Sequence, residues 1–154
     1  GHAMTHPRHN LWQNVTWSYD ETLAVMAEEA GVDARRVAWS TFFSKDSEFL
    51  VKGLADIFLD TPNFNAHTTG VDALWSNTPV LTTPGQEFSA RVAAALITAT
   101  APLQRNVMIT RNAADYSETL IALARSRAHV DKLKADLDLV RHARPGDVDT
   151  VNCL

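Results

Sequence analysis

The sequence predicts an α/β fold, a Rossmann-like parallel sheet with helices on both faces. Short apolar, β-favouring segments alternate with helical patterns of about ten residues along the chain. Polar, threonine-rich segments follow the predicted strands, as at the ligand-binding edge of such sheets. The 154 residues contain no internal repeat or linker, so residues 5–154 are expected to form a single domain. Residues 1–4, Gly-His-Ala-Met, have the form of a cloning remnant and are left out of this prediction.

The composition of the chain argues against several classes of function. The net charge of −4 argues against a broad nucleic-acid-binding surface. No apolar run reaches the roughly 18 residues of a membrane span, so no membrane partner is expected. The single cysteine, Cys153, excludes an internal disulfide framework and a cysteine-based metal site within one chain. These features favour an intracellular protein, cytoplasmic or nuclear.

The alternating pattern gives an ordered set of elements. The predicted strands are 11–17, 37–39, 55–59, 80–82 and 107–110. The predicted helices are 21–30, 44–52, 67–76, 87–100, 112–125 and 129–141. Asp20 and either Ser44 or Asp46 are candidate N-caps, and Gly31 and Asn77 mark helix ends. The tryptophans are expected in the core: Trp12, Trp17, Trp39 and Trp75.

The segment 54–75 carries the candidate site, with the sequence LADIFLDTPNFNAHTTGVDALW. An apolar strand runs into a polar loop, and the loop reaches His67-Thr68-Thr69-Gly70 where a helix begins. A helix N-terminus leaves backbone N–H groups unpaired and can bind phosphate. The threonine hydroxyls and His67 would add donors. Because threonine is also a common N-cap, a capped helix without a ligand is the alternative.

Other polar residues are expected near this junction, each with a structural alternative. Asp72 can accept hydrogen bonds from ribose hydroxyls or simply compensate the helix dipole. Lys45 can bind ribose or phosphate, or remain a surface lysine. The sequence Thr-Thr-Pro-Gly at 82–85 can line a sugar pocket or form a plain turn. A structural role is favoured for Arg91.

Two Asp-x-Asp sequences, at 136–138 and 147–149, are possible divalent-metal ligands. The first lies in a predicted helix and the second in the tail, and neither follows a strand. We therefore expect no metal. The GxGxxG, GxxxxGK[ST] and GxSxG motifs are absent, so dinucleotide-binding, P-loop and esterase functions lack support.

Residues 54–96 resemble the C-terminal catalytic lobe of the O-GlcNAc transferases. Their sequence is LADIFLDTPNFNAHTTGVDALWSNTPVLTTPGQEFSARVAAAL. The family pattern reads roughly LADxxLDTxxxNxHTTxxDxLWxxxPxxTxPGxxxxxRVAxS, and almost every fixed position fits except the final serine. Weaker similarity covers residues 11–141. These enzymes transfer N-acetylglucosamine from UDP-GlcNAc to Ser or Thr hydroxyls of intracellular proteins. Nucleotide-sugar epimerases and other transferases use a similar lobe, but the His-Thr-Thr sequence favours this family.

The resemblance implies a GT-B architecture, with the active site between two Rossmann-like lobes and this chain as most of the second. It implies that the diphosphate is held by His67, Thr68 and Thr69, and the ribose by Lys45 and Asp72. Possible uracil or sugar contacts are Ser44, Lys52, Thr83, Pro84 and Gly85. The family needs no metal, so no cofactor is expected besides the UDP-GlcNAc substrate.

Two departures from the family pattern limit this expectation. Val51 stands where the family usually has an arginine that helps to read uracil, and Lys52 could substitute for it. The first lobe, the protein-recruiting helical repeats and the catalytic lysine segment are absent from the sequence, so no catalytic residue is assigned. We expect UDP binding with little or no transfer, and an acceptor protein bound by parts outside this chain. The alternative is a non-catalytic nucleotide-binding or interaction module, with self-association through the exposed lobe face.

Overall fold

The computed structural model describes residues 19–38 and 44–142. The chain divides into two compact units, residues 1–42 and residues 43–154. In the first unit, helix α1 spans Tyr19–Glu29, and a 3-10 helix spans Ala34–Arg36. As predicted, α1 ends next to a glycine, Gly31, whose φ is +73°.

Several predictions in the first unit are wrong or lie outside the described residues. Helix α1 begins at Tyr19, so Asp20 lies inside its first turn rather than capping it. Residues 37 and 38 form no strand, because the chain leaves the 3-10 helix there without a pairing partner among the described residues. The predicted strand 11–17 and the side chains of Trp12, Trp17 and Trp39 lie outside the described residues.

The second unit is mostly helical with one small sheet. Its elements are α2 Lys45–Leu54, β1 Phe58–Leu59, α3 Thr68–Trp75, β2 Val80–Leu81, α4 Val92–Thr100, α5 Arg105–Met108, α6 Ala113–Ala124 and α7 Arg127–His142. Short 3-10 helices span Phe88–Ala90 and Pro102–Gln104. None of the helices in the described ranges has the length and apolar character needed to cross a membrane.

The sheet is parallel, with α3 as the crossover helix between its two strands. Phe58 pairs with Val80 and Leu59 with Leu81. Thr82 extends the pairing by a single parallel bridge to Ile109. The strand predicted at 107–110 is largely replaced by α5, so the described residues confirm the βαβ connection and leave the complete Rossmann-like sheet a prediction.

Two helices of the second unit confirm their predicted limits closely. Asn112 caps α6 by accepting the N–H of Asp115 at 3.0 Å. Helix α7 buries Val130, Leu133 and Leu137, whose spacing places them on one face. They join the core around Leu81, Ile97 and Met108.

The predicted apolar side of α4 is wrong in part. The sequence predicted one helix over 87–100 with Phe88, Val92, Ala95 and Leu96 along one side. Instead, the 3-10 helix 88–90 precedes α4, so the helical register shifts and the buried residues are Ala93 and Ile97, while Leu96 packs partly buried against the same core. Phe88 is 82% exposed. Trp75 was also predicted in the core, but it is 65% exposed.

Helix α3 ends as the sequence predicted. Asn77 adopts a φ of +63° and donates its N–H to the carbonyl of Leu74 at 3.1 Å. Thr78 donates its N–H to Ala73 at 2.9 Å, and Pro79 follows. This end turns the chain directly into β2.

The packing around two glycines makes a first prediction. A Cβ at Gly85 would lie 2.7 Å from the Cβ of Ala90 and 3.3 Å from the carbonyl oxygen of Pro62, so Gly85→Ala forces these segments apart. A Cβ at Gly70, within α3, would make ordinary contacts at 3.4 and 3.6 Å. We expect Gly85→Ala to lower the free energy of unfolding by about 1–3 kcal/mol. Gly70→Ala should change it little or raise it, because alanine favours helix. Urea denaturation that finds the two variants equally stable would contradict this.

Candidate functional site

A cavity of about 450 Å³ lies where β1 ends and α3 begins. Residues 58–61 and 64–69 line it. The structure therefore brings the strand end and the sequence His67-Thr68-Thr69 together around one space, open to a ligand beyond the carboxyl end of the strand.

The first turn of α3 presents unpaired donors at this cavity. His67 is the N-cap, and its carbonyl accepts the N–H groups of Gly70 and Val71, both at 3.1 Å. Within the described part of the chain, the N–H groups and hydroxyls of Thr68 and Thr69 have no protein partner. Both residues are exposed. This geometry can bind an anion, which the positive end of the helix dipole also attracts.

The imidazole of His67 has a fixed position. It stacks on Phe64 with ring centroids 5.0 Å apart and planes inclined by 14°. Its Nε2 lies 3.4 Å from the carbonyl oxygen of Ser89. A carbonyl only accepts, so Nε2 carries the hydrogen in this contact. The other nitrogen, Nδ1, then offers a lone pair in the neutral ring and a donor in the imidazolium.

A buried carboxylate fixes the loop between β1 and α3. Asp60 is 5% exposed, and its Oδ1 accepts the N–H of Ala66 at 2.6 Å. Its Oδ2 accepts the hydroxyl of Thr82 at 2.6 Å. One side chain thus ties the residue just before His67 to the end of β2. We did not assign this role from the sequence, although Asp60 is a fixed position of the family pattern.

Hydroxyl groups of Tyr116, Thr110 and Thr83 extend the hydrogen-bond network around Asp60. Tyr116 donates its hydroxyl to the carbonyl of Asp60 at 3.3 Å. Burial, and then the charge of Asp60, raise the pKa of Tyr116, so its phenol remains a donor at neutral pH. The hydroxyl of Thr110 bonds to the carbonyl of Thr82 at 2.9 Å and to the hydroxyl of Thr83 at 2.6 Å. Thr83, predicted as a sugar contact, therefore has its hydroxyl engaged by the protein.

Asn65 anchors the same loop against α4. It is 1% exposed, and its Nδ2 donates to the carbonyl of Thr61 at 2.9 Å. Its Oδ1 accepts the N–H of Ala93 at 3.3 Å, and its own N–H donates to Ser89 at 2.8 Å. The chain consequently enters α3 in a defined direction. Asn65 was also missed as a site residue, because its burial depends on segments distant in sequence.

Asp72 and Lys52 meet across α3 and α2. The Nζ of Lys52 lies 3.1 Å from Oδ2 of Asp72 and 2.7 Å from Oε1 of Glu48. Burial by itself lowers the pKa of Lys52, but the hydrogen bonds to Glu48 and Asp72 outweigh it and leave this pKa raised. Lys52 is therefore a charged residue engaged by two carboxylates, rather than a free side chain facing a base or sugar.

Two other predicted contacts, Pro84 and Gly85, lie in the segment that follows β2. The N–H of Gly85 donates to Ala90 at 2.8 Å, and its carbonyl accepts Nη1 of Arg91 at 2.9 Å, so Arg91 has the structural contact that we favoured. Pro84 is partly buried beside Gly85.

At the start of α2, Ser44 is the N-cap residue, but its hydroxyl lies 3.0 Å from that of Ser47 and does not bond to the helix backbone. Lys45 opens the helix, and its side chain is outside the described residues. The residues that the structure describes contain no group of three or more His, Cys, Asp or Glu side chains that could hold a metal.

Comparison with known proteins identifies relatives of the chain. Residues 7–147 match the family model described as Glycosyl transferase family 41. A UDP-N-acetylglucosamine–peptide N-acetylglucosaminyltransferase of Caenorhabditis elegans is 29% identical over 136 residues, covering 88% of this chain and 12% of that protein. A probable transferase of the same name from Arabidopsis thaliana is 32% identical over 119 residues, covering 77% and 12%. The chain thus spans about an eighth of the length of these relatives.

A solved structure also shares the fold. A mutant of the Thermobaculum terrenum O-GlcNAc transferase matches with a TM-score of 0.71 and 21% sequence identity. The match covers 79% of this chain and 23% of that structure.

The loop contacts make a second prediction. Asn65→Ala leaves the carbonyl of Thr61 and the N–H of Ala93 without their partners, and we expect it to lower the free energy of unfolding by about 1–3 kcal/mol. Asn63 is exposed in the same loop, so Asn63→Ala should change it by less than about 0.5 kcal/mol. Thermal or urea unfolding compares the two. Equal stability of the variants would show that the Asn65 contacts do not hold the loop.

Proposed function

This chain belongs to glycosyl transferase family 41, and from that premise we propose that it is the UDP-sugar-binding lobe of a GT-B protein O-GlcNAc transferase. The donor is UDP-GlcNAc, and the acceptors are Ser or Thr hydroxyls of proteins in the cytoplasm or nucleus. The observation that supports this most is the N-terminus of α3, where Thr68 and Thr69 present unpaired donors at the cavity.

In this proposal, the diphosphate binds at the first turn of α3. The N–H groups and hydroxyls of Thr68 and Thr69 donate to phosphate oxygens, and His67 adds a donor through Nδ1 when that nitrogen carries a hydrogen. When the bond between the sugar and the diphosphate breaks, negative charge grows on the departing phosphate. Donors already held in place stabilise that charge without reorganising. The proposal needs no metal for this step.

The nucleoside would lie toward α2. Asp72 accepts the ribose hydroxyls, and Lys45 and Ser44 lie at the start of α2, where they would meet the ribose and the base. Thr83, Pro84 and Gly85 would border the sugar mainly through carbon atoms, because the hydroxyl of Thr83 and both the N–H and the carbonyl of Gly85 are already bonded within the protein. The acceptor hydroxyl and the group that takes its proton belong to other parts of a longer protein, so no catalytic residue is assigned here.

A third prediction concerns UDP binding. Thr68→Ala combined with Thr69→Ala removes two hydroxyl donors, and we expect the affinity for UDP, measured by titration calorimetry, to fall about tenfold or more. Thr98→Ala is a matched control, since the hydroxyl of Thr98 is exposed on α4 and bonds to the carbonyl of Ala94. Unchanged affinity in the double variant would refute the assigned site. Absence of UDP binding by the unmodified chain would refute the binding function.

A fourth prediction concerns catalysis. The 154-residue chain should bind UDP-GlcNAc without transferring the sugar. Transfer requires an acceptor hydroxyl held in position against the donor, and the proposal assigns only donor binding to this lobe. Incubation with radiolabelled UDP-GlcNAc and a Ser/Thr peptide tests this. Robust labelling of the peptide would contradict it.

A self-associating interaction module without UDP binding is the second candidate, and one observation favours it. An apolar groove of about 390 Å³ lies between α3, α4 and α7. Trp75 and Val71 line it and are 65% and 46% exposed. A second copy of the chain could cover these side chains. A dimer in light scattering, together with no heat of UDP binding, would favour this candidate, and a monomer that binds UDP would exclude it.

A further inference from the structure

We propose that Lys52 is a positioning residue for ribose recognition, acting through Asp72 rather than by touching the nucleotide. This inference rests on the proposed function, in which Asp72 accepts the ribose hydroxyls. It replaces the direct base or sugar contact that the sequence suggested for Lys52. Three side chains, Lys52, Asp72 and Glu48, form the ion-pair cluster that joins α2 to α3.

Both the side-chain ammonium and the backbone carbonyl of Lys52 are hydrogen-bonded. Its ammonium contacts Asp72 Oδ2 at 3.1 Å and Glu48 Oε1 at 2.7 Å. Its carbonyl accepts the hydroxyl of Thr78, which follows α3, at 2.7 Å. The side chains of Lys52 and Asp72 are each only 16% exposed. An ion pair so shielded from water restricts its partners more than an exposed pair does.

This arrangement leaves one oxygen of Asp72 for a ligand. Oδ2 is bonded to Lys52, while Oδ1 has no hydrogen-bond donor among the described residues. Glu48 shares the lysine, so one positive charge faces two carboxylates and the cluster keeps a net negative charge. Asp72 therefore remains an acceptor suited to hydroxyl donors. The two ribose hydroxyls are such donors, and a carboxylate already fixed in orientation binds them without losing further side-chain freedom.

Recognition of the ribose hydroxyls can be separated by experiment from recognition of the base and the phosphates. The 154-residue chain is titrated with UDP and with 2′,3′-dideoxyuridine 5′-diphosphate, which has the same base and phosphates but no ribose hydroxyls. We expect Lys52→Met to weaken UDP binding about tenfold and dideoxy-UDP binding less than about twofold, so that the preference for UDP is lost. Lys52→Arg should restore most of that preference, because it restores the charged donor.

A second lysine provides a matched control. Lys134 on α7 donates to the carbonyl of Ala55, just after α2, at 2.6 Å. Lys134→Met therefore also removes an ammonium contact at the end of α2, but not one with Asp72. We expect its preference for UDP over dideoxy-UDP to equal that of the unmodified chain. Circular dichroism confirms folding, and if Lys52→Met does not fold, Lys52→Gln is used with the same expected result.

The remaining outcomes overturn the inference in distinguishable ways. Equal weakening of both ligands by the Lys52 variants, or no weakening, would show that Lys52 does not act through the ribose. If the unmodified chain binds both ligands equally well, Asp72 does not recognise ribose and the inference fails while the diphosphate site stands. If the unmodified chain binds neither ligand, the inference and the proposed function fail together.

Discussion

The second unit depends most on the buried carboxylate of Asp60. Its two oxygens accept one backbone N–H from Ala66 and one hydroxyl from Thr82, each at 2.6 Å. A carboxylate that is 5% exposed would be strongly destabilising without such partners. The end of β1, the following loop and the end of β2 must therefore remain together. That requirement fixes where α3 begins.

The geometry of the candidate site follows from this constraint. Asn65 bonds the loop to Ser89 and to Ala93, and the ring of Phe64 stacks on the imidazole of His67. With the loop held in this way, the first turn of α3 directs its unpaired donors into the cavity rather than against the protein. Buried groups that never touch a ligand thus preorganise the groups that would.

A second constraint joins α2 to α3 through the ion pair of Lys52 and Asp72. It connects α2 to the helix whose first turn presents unpaired donors at the cavity. The first constraint acts on the loop just before α3, through Ala66, and the second acts on Asp72 within the helix. The chain belongs to glycosyl transferase family 41, and its matched residues span about an eighth of the length of its curated relatives.

Local signals in the sequence determined the helices α6 and α7, the end of α3 at Asn77 and the junction at His67-Thr68-Thr69. Helical periodicity and capping depend on residues three or four apart, so they can be read without the fold. The tertiary structure alone decided the contacts of Asp60 and Lys52, whose partners Thr82 and Asp72 lie 22 and 20 residues away. It also decided which face of α4 is buried, because a 3-10 helix ahead of it shifted the register. Such contacts depend on how elements pack, and composition and periodicity do not specify that packing.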